Sequence, residues 1–142
     1  MTPTRSLLRI IDANANRALE GLRVCEDVTR FHLEHARVFR QLRALRHRVA
    51  GTVRALPLHP AELLGARQSR RDPGRRAAST RVASLEQLLL INFQRTKEAL
   101  RVLEESSRLL GVDHARAFQR LRFGTYDVER DFLRRVAALR HR

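Results

Sequence analysis

Apolar residues recur along this chain at three-and-four spacing, and no segment keeps up the alternation of a strand. Thr2 and Pro3 read as an N-cap and a first helical position, opening a helix that runs to about Leu33. Past the Phe31-His32-Leu33-Glu34-His35 corner, Phe39, Leu42, Leu45, Val49 and Val53 mark a second helix, which Pro57 ends. Pro60 starts a short helical turn through Leu64, and Gly65 stops it. Ser84 followed by Gln87 is a capping box for a third long helix, terminated by Gly111. Asp113 then caps a fourth, with Phe118, Leu121, Thr125, Val128, Phe132 and Leu139 along its seam. The expected fold class is all-α.

The pattern is duplicated. Asn14 to Arg30 laid on Asn92 to Arg108 gives eight identities in 17 positions, under the shared form N-x-x-R-x-x-E-[GA]-L-R-V-x-E-[DE]-x-x-R. With one inserted residue the match resumes, Ala36-Arg37-x-Phe39-x-x-Leu42-Arg43 against Ala115-Arg116-x-Phe118-x-x-Leu121-Arg122. Each half is therefore a helical hairpin, and two such hairpins pack as a four-helix bundle with approximate two-fold symmetry. The expected organisation is one helical domain over 1–142, with repeats at about 2–56 and 84–140 and an irregular Arg-rich linker at 57–83. A first helix of some 30 residues would be roughly 45 Å long. That is long for such a small chain, and it leads us to expect apolar surface left over for a homodimer.

Some polar residues fall on the wrong face. Counting about 100° per residue from Asn14, Cys25, Ala18 and Leu22 fall within roughly 80° on one side. Val28, Val24 and Phe31 fall within roughly 100° on the other. Asn14 and Arg17 thus lie inside the apolar arc, with Glu20 on its border. The third helix repeats this with Asn92, Arg95 and Glu98. A guanidinium on a buried face needs a partner. Two readings stay open. Arg17 and Arg95 pair with Glu20 and Glu98 in a buried polar layer, or the Asn and Arg pairs line a pocket for a phosphorylated ligand. In the second reading Glu20 and Glu98 orient the arginines or hold Mg²⁺.

Composition adds a charge of +14, from 28 arginines and the single lysine Lys97 against 15 acidic residues. Guanidinium forks suit phosphate oxygens, although a codon bias toward arginine would produce the same excess. Stacking platforms for nucleic acid are scarce, with no tryptophan, six phenylalanines and one tyrosine. The linker concentrates the charge: from Ala66 to Val82 it holds six arginines and one aspartate, Asp72, which forms a tight turn with Pro73 and Gly74. It is either a solvated basic linker or a phosphate-gripping loop in which Arg67 takes part. The lone Cys25 reads as core packing, and His32 and His35 have no further ligand at metal spacing. The longest apolar run, Leu88-Leu89-Leu90-Ile91, is far too short for a membrane span, and Met1 to Arg5 carries no secretory pattern, so a cytoplasmic protein is expected.

The stretch Ile10-Ile11-Asp12-Ala13-Asn14-x-x-Arg17-Ala18-x-Glu20-Gly21-Leu22-Arg23-Val24-x-Glu26-Asp27-x-x-Arg30-Phe31 resembles the opening of a helical domain of thiamin biosynthesis. In some bacteria that domain is fused ahead of thiamine phosphate synthase; it is described as a hydroxymethylpyrimidine phosphate kinase unrelated to the ribokinase-like enzymes. The resemblance continues through Leu42-Arg43-x-x-Arg46-His47, Ala66-Arg67 and Asp72-x-Gly74, and resumes from Asn92 to Glu105 and at Leu121, Arg122 and Tyr126. Gln68 stands where the family often has an aspartate. The resemblance implies a free-standing form of that kinase, using ATP and Mg²⁺ to convert 4-amino-5-hydroxymethyl-2-methylpyrimidine phosphate to its diphosphate. It also implies site roles. Arg17, Arg95 and Arg67 would grip phosphates, Asn14, Asn92 and Asp72 would contact substrate, and Glu20 and Glu98 would hold metal. A non-catalytic helical module binding a phosphorylated metabolite or a partner protein is the alternative.

Overall fold

The computed structural model describes residues 3–77 and 79–140, with side chains as far as residue 135. Among these residues α1 spans Arg5–Asp27, α2 Ala36–Arg54, α3 Pro60–Ala66, α4 Leu85–Ser107 and α5 Val112–Arg140. A π-helical turn, Val28–His32, extends α1, and a 3₁₀ turn, Ser69–Arg71, follows α3. No strand occurs among the described residues, so the fold is all-α. No helix is long and apolar enough to cross a membrane.

Each long helix packs against two others: α1 against α2 and α4, and α5 against α2 and α4. The four form a square bundle in which the α1–α2 and α4–α5 hairpins are the two sequence repeats. Its core is the apolar stripe of each helix. Ile11, Ala18, Leu22 and Cys25 come from α1, Val38, Leu42 and Val49 from α2, Phe93, Leu100 and Leu103 from α4, and Phe118, Leu121 and Phe132 from α5. Burying each large apolar side chain contributes about 1.5–3 kcal/mol. The expected seam of α5 is buried from Phe118 to Phe132; Leu139 and the expected cap Thr2 lie outside the residues whose side chains are described. Among the described residues the short α3 packs mainly on α1.

The helix ends differ from the sequence expectation in four places. Thr4 is the N-cap of α1, its hydroxyl accepting from the Leu7 N–H at 3.1 Å. The first helix does not stay α-helical to Leu33. At Thr29 the hydroxyl takes up the Cys25 and Glu26 carbonyls, each at 2.9 Å, and the turn widens to the π form. Gly65 does not stop α3, which continues to Ala66 and ends where Arg67 turns extended. Asp113 is not the cap of α5: the helix opens at Val112, straight after Gly111, whose φ of +152° only glycine adopts without strain. At α4, Ser84 caps Gln87 as expected, while Gln87 reaches back to the Ala83 N–H at 2.7 Å.

α1 and α4 approach each other closely at Gly21. A Cβ on Gly21 would stand 2.5 Å from the Thr96 hydroxyl and 3.4 Å from the Asn92 carbonyl oxygen. Small residues recur on both sides of this crossing, because Ala99 is the repeat equivalent of Gly21, and Ala18 that of Thr96. Gly21→Ala is therefore expected to overpack the crossing and cost about 1–3 kcal/mol. Gly51→Ala in α2, where a Cβ meets nothing closer than Arg54 Nη2 at 3.8 Å, should stabilise by about 0.5–1 kcal/mol. Urea midpoints at constant slope read both, and a neutral Gly21→Ala would show that the crossing has slack.

Candidate functional site

The α1–α4 crossing carries the residues that the helical wheel placed on the wrong face. Asn14 and Asn92 are buried, at 5% and 6% exposure, and anchored alike: each Nδ2 donates to the carbonyl four residues back, Ile10 and Leu88, at 2.9 Å. Each carboxamide therefore holds a fixed orientation, with its oxygen free of that backbone bond. Arg17, Arg95, Glu20 and Glu98 are exposed, which removes the buried polar layer from consideration. At the border of the arc the long arginine stems run outward and carry their heads into solvent. Among the described residues neither Arg17 nor Arg95 makes an ion pair within 4 Å; Arg17 Nη1 lies 3.5 Å from Asn14 Oδ1, and Glu98 accepts from Gln94 at 3.1 Å.

These side chains wall an open groove of about 730 Å³ between α1 and α4. Its lining consists of five pseudo-equivalent pairs and one linker residue. Asn14 and Asn92, Arg17 and Arg95, and Glu20 and Glu98 supply the polar walls, while Gly21 and Ala99, and Val24 and Val102, supply a small apolar floor. Gly74 reaches it from the linker. A second hollow of about 660 Å³ lies between α1 and the linker, sharing Asn14, Arg17 and Glu20 with the groove and adding Arg67, Gln68 and Asp72. The structure thus brings all eight sequence-predicted site residues onto two adjoining hollows. Glycine and alanine on the floor leave room there, and the anchored amides offer directed hydrogen bonding. The free guanidinium groups supply positive charge for an anion.

The linker is held in place by one ion pair. Arg67, at the end of α3, makes a bidentate contact to Asp12 on α1, Nε to Oδ2 at 2.8 Å and Nη2 to Oδ1 at 2.7 Å. Asp12 is buried, and its carboxylate holds the Arg67 guanidinium above its usual basicity, with Glu20 adding to the effect. Arg67 is thus committed to Asp12 through two of its nitrogens while it also lines the hollow. Asp72 folds the linker back, its Oδ1 accepting from the Gly74 N–H at 2.8 Å. Among the described residues no group of three or more His, Cys, Asp or Glu comes together to hold a metal ion.

Away from the groove stand two buried carboxylates that sequence reasoning missed, Glu26 and Glu104, at 1% and 3% exposure. Glu26 takes a bidentate contact from Arg46, through Nε and through Nη2 at 3.1 Å. Glu104 accepts from Arg122 Nε at 2.9 Å; that bond, together with Tyr126, raises Arg122's basicity against the opposing effect of burial. The glutamates are repeat equivalents but their arginines are not. Arg122 corresponds to the exposed Arg43, and Thr125 stands at the place of Arg46. These pairs tie each hairpin together and line neither hollow of the site. Cys25 is fully buried, and desolvation, reinforced by the Glu129 and Glu26 charges, pushes its thiol far above the ordinary range. It has no nucleophilic role.

A family model described as the ThiD2 family matches residues 9–131. The chain is 38% identical over 128 residues to a thiamine-phosphate synthase of Nostoc punctiforme, covering 88% of this chain and 35% of that protein. It is 36% identical over 126 residues to one of Thermosynechococcus vestitus, covering 87% and 34%. To one of Rhodopirellula baltica it is 33% identical over 142 residues, covering 98% and 37%. The chain spans about a third of the length of these curated relatives. No solved structure matches.

Stability separates the two sets of arginines. Arg122→Ala strands Glu104 in the bundle and should cost about 3 kcal/mol or more, whereas Arg17→Ala and Arg95→Ala should stay within about 0.5 kcal/mol of the parent. Equal losses in denaturant titrations would make the groove arginines structural. A thiol reagent at pH 8 should modify Cys25 only as fast as the bundle opens, so labelling that ignores added denaturant would contradict its burial.

Proposed function

Because the chain belongs to the ThiD2 family, a family tied to thiamin biosynthesis, we propose that it transfers the γ-phosphoryl group of ATP to 4-amino-5-hydroxymethyl-2-methylpyrimidine phosphate, giving the diphosphate. The observation that carries this reading is the groove itself. Two anchored carboxamides line a small apolar floor, flanked by two guanidinium groups that make no ion pair among the described residues. A flat aminopyrimidine has ring nitrogens and an amino group for the amides, apolar faces for the floor, and a phosphate for the arginines.

On the acceptor side the chemistry needs no catalytic base. A phosphate monoester has its second pKa near 6, so at neutral pH the acceptor is already mostly dianionic and no strong general base is needed. The barrier is the meeting of two polyanions, and arginines lower it by fixing the geometry and by offsetting charge on the transferred group. Mg²⁺ is usually held by one or two carboxylates together with substrate phosphates, and Glu20 and Glu98, on the walls of the groove, are a donor set of that kind. Bound there, the ion would screen the phosphate charges.

A coupled assay for ADP release with the monophosphate, ATP and Mg²⁺ tests the reading. Turnover should require the phosphate on the acceptor, so unphosphorylated hydroxymethylpyrimidine should give background only. Asn14→Ala and Asn92→Ala should each weaken the monophosphate by about tenfold through loss of a directed hydrogen bond. No ADP above background with wild-type protein would sink the assignment and leave a binding module.

A further inference from the structure

The pseudo-two-fold groove offers two equal halves, but the proposed reaction joins two unlike molecules, and the asymmetry that sorts them lies in the linker. Three hollows run into one another along α1. The outermost, of about 560 Å³, is lined by Arg5, Arg70 and Arg71 together with Arg67, Gln68 and Ser69. The last three also wall the middle hollow, and the middle hollow shares Asn14, Arg17 and Glu20 with the α1–α4 groove. The three adjoin through shared walls, and as a trough along α1 their chemistry changes from end to end. Its outer end is lined by four arginines and no carboxylate; its inner end has anchored amides and an apolar floor.

These ends suit different ligands. A polyphosphate carries several charges at short spacing and is held by guanidinium forks, which need no shaped pocket. A heterocycle needs a floor and a few fixed hydrogen-bonding groups. The bidentate Arg67–Asp12 contact docks the arginine run on α1, so the charge is delivered to one side of the pseudo-dyad only. Asp12's repeat equivalent is Leu90, so the other side has no such dock.

We propose that the nucleoside triphosphate donor lies along the α1–linker part of the trough, its phosphate chain on Arg70 and Arg71 and its terminal phosphate reaching Arg17. The phosphorylated acceptor then fills the α1–α4 groove, its phosphate meeting the donor at the same arginine. This assignment rests on the kinase reading above. An oxygen of the acceptor phosphate attacks the terminal phosphorus of the donor. The bond from that phosphorus to the bridging oxygen breaks, and its electron pair leaves on the nucleoside diphosphate; no proton has to move. Arg17 stands at the junction, whereas Arg95 lines the groove alone. Two arginines that the repeat makes equivalent therefore have unequal roles. Arg17 contacts the group in flight and Arg95 holds the acceptor.

The test measures ADP and the pyrimidine monophosphate separately, by calorimetric titration of the full chain, beside steady-state turnover. The double variant Arg70→Ala/Arg71→Ala should weaken ADP by about tenfold or more and leave the monophosphate within about twofold. Arg95→Ala should do the reverse. Arg17→Ala should cut kcat about a hundredfold or more while both ligands still bind within about tenfold of wild type. ADP affinity unchanged in the linker variant, or matching profiles for Arg17→Ala and Arg95→Ala, would overturn the assignment while turnover by wild type kept the kinase reading intact. Wild-type protein that binds ADP through Arg70 and Arg71 yet transfers nothing would keep the linker as the nucleotide site and overturn the reading instead. Wild-type protein that binds no ADP would overturn both.

Discussion

The approach of α1 to α4 at Gly21 and Thr96 is the constraint on which the rest of the molecule depends. A side chain on Gly21 would meet the Thr96 hydroxyl at 2.5 Å, so either Thr96 turns away or the helices part and the two Asn–Arg–Glu sets no longer line one groove. Because the crossing is lined by Gly21, Ala18 and Ala99, backbones meet there where side chains meet elsewhere in the core. Close backbones leave the amides of Asn14 and Asn92, one turn before Ala18 and Thr96, on the edge of the contact. They are buried enough to be immobile and open enough to meet a ligand. A polar site at the seam of a bundle is thus a consequence of how tightly that seam is drawn.

The charge of +14 resolves into parts that do different work. Arg46 and Arg122 neutralise the buried Glu26 and Glu104, and removing either cation would leave a charge in the interior. Arg67 is spent in docking the linker. Arg37, Arg40, Arg43 and Arg116 lie exposed on outer faces, where a charge contributes little to stability. Among the described residues, those without a carboxylate partner along the trough are a short set, Arg17 and Arg95 in the groove, Arg9 in the middle hollow, and Arg5, Arg70 and Arg71 at the outer end. A guanidinium free in solvent and aimed into a hollow keeps its full charge for a ligand. Net charge is therefore a poor guide here, and the pairing of each arginine a good one.

Much of this was legible in the residues. Three-and-four spacing predicts all four long helices, and the repeat predicts their pairing into hairpins. The same wheel that puts Asn14 on the apolar arc correctly singles out Asn14 and Asn92 as buried amides. It misjudges Arg17, because a wheel places Cα atoms and a guanidinium ends several bonds away. Glu26 was within reach: it lies on the wheel only about 40° beyond Leu22, and its recurrence as Glu104 doubled the signal. Asp12 was not. Its burial comes from α3 folding back onto α1, a tertiary contact that no periodicity within α1 encodes. The π turn at Val28–His32 was hidden for a related reason, since it follows from one hydroxyl, Thr29, competing for carbonyls within its own helix.

Duplication explains both what is symmetric in the site and what is not. A hairpin copied and packed on itself produces matched amides, arginines and glutamates at the seam without further selection, and such a groove treats its two sides alike. The only segment with no counterpart is the one that joins the copies, because two hairpins need a single connection. α3, Arg67 and the arginine run belong to it, and Asp12, which docks it, is the position where α1 departs from α4 by placing a carboxylate against Leu90. A bundle made from a repeat that must tell donor from acceptor has its means of doing so in the connecting segment, which brings Arg70 and Arg71 to one side of the bundle only. On the proposed reading, the linker makes a symmetric binding groove into a directional one.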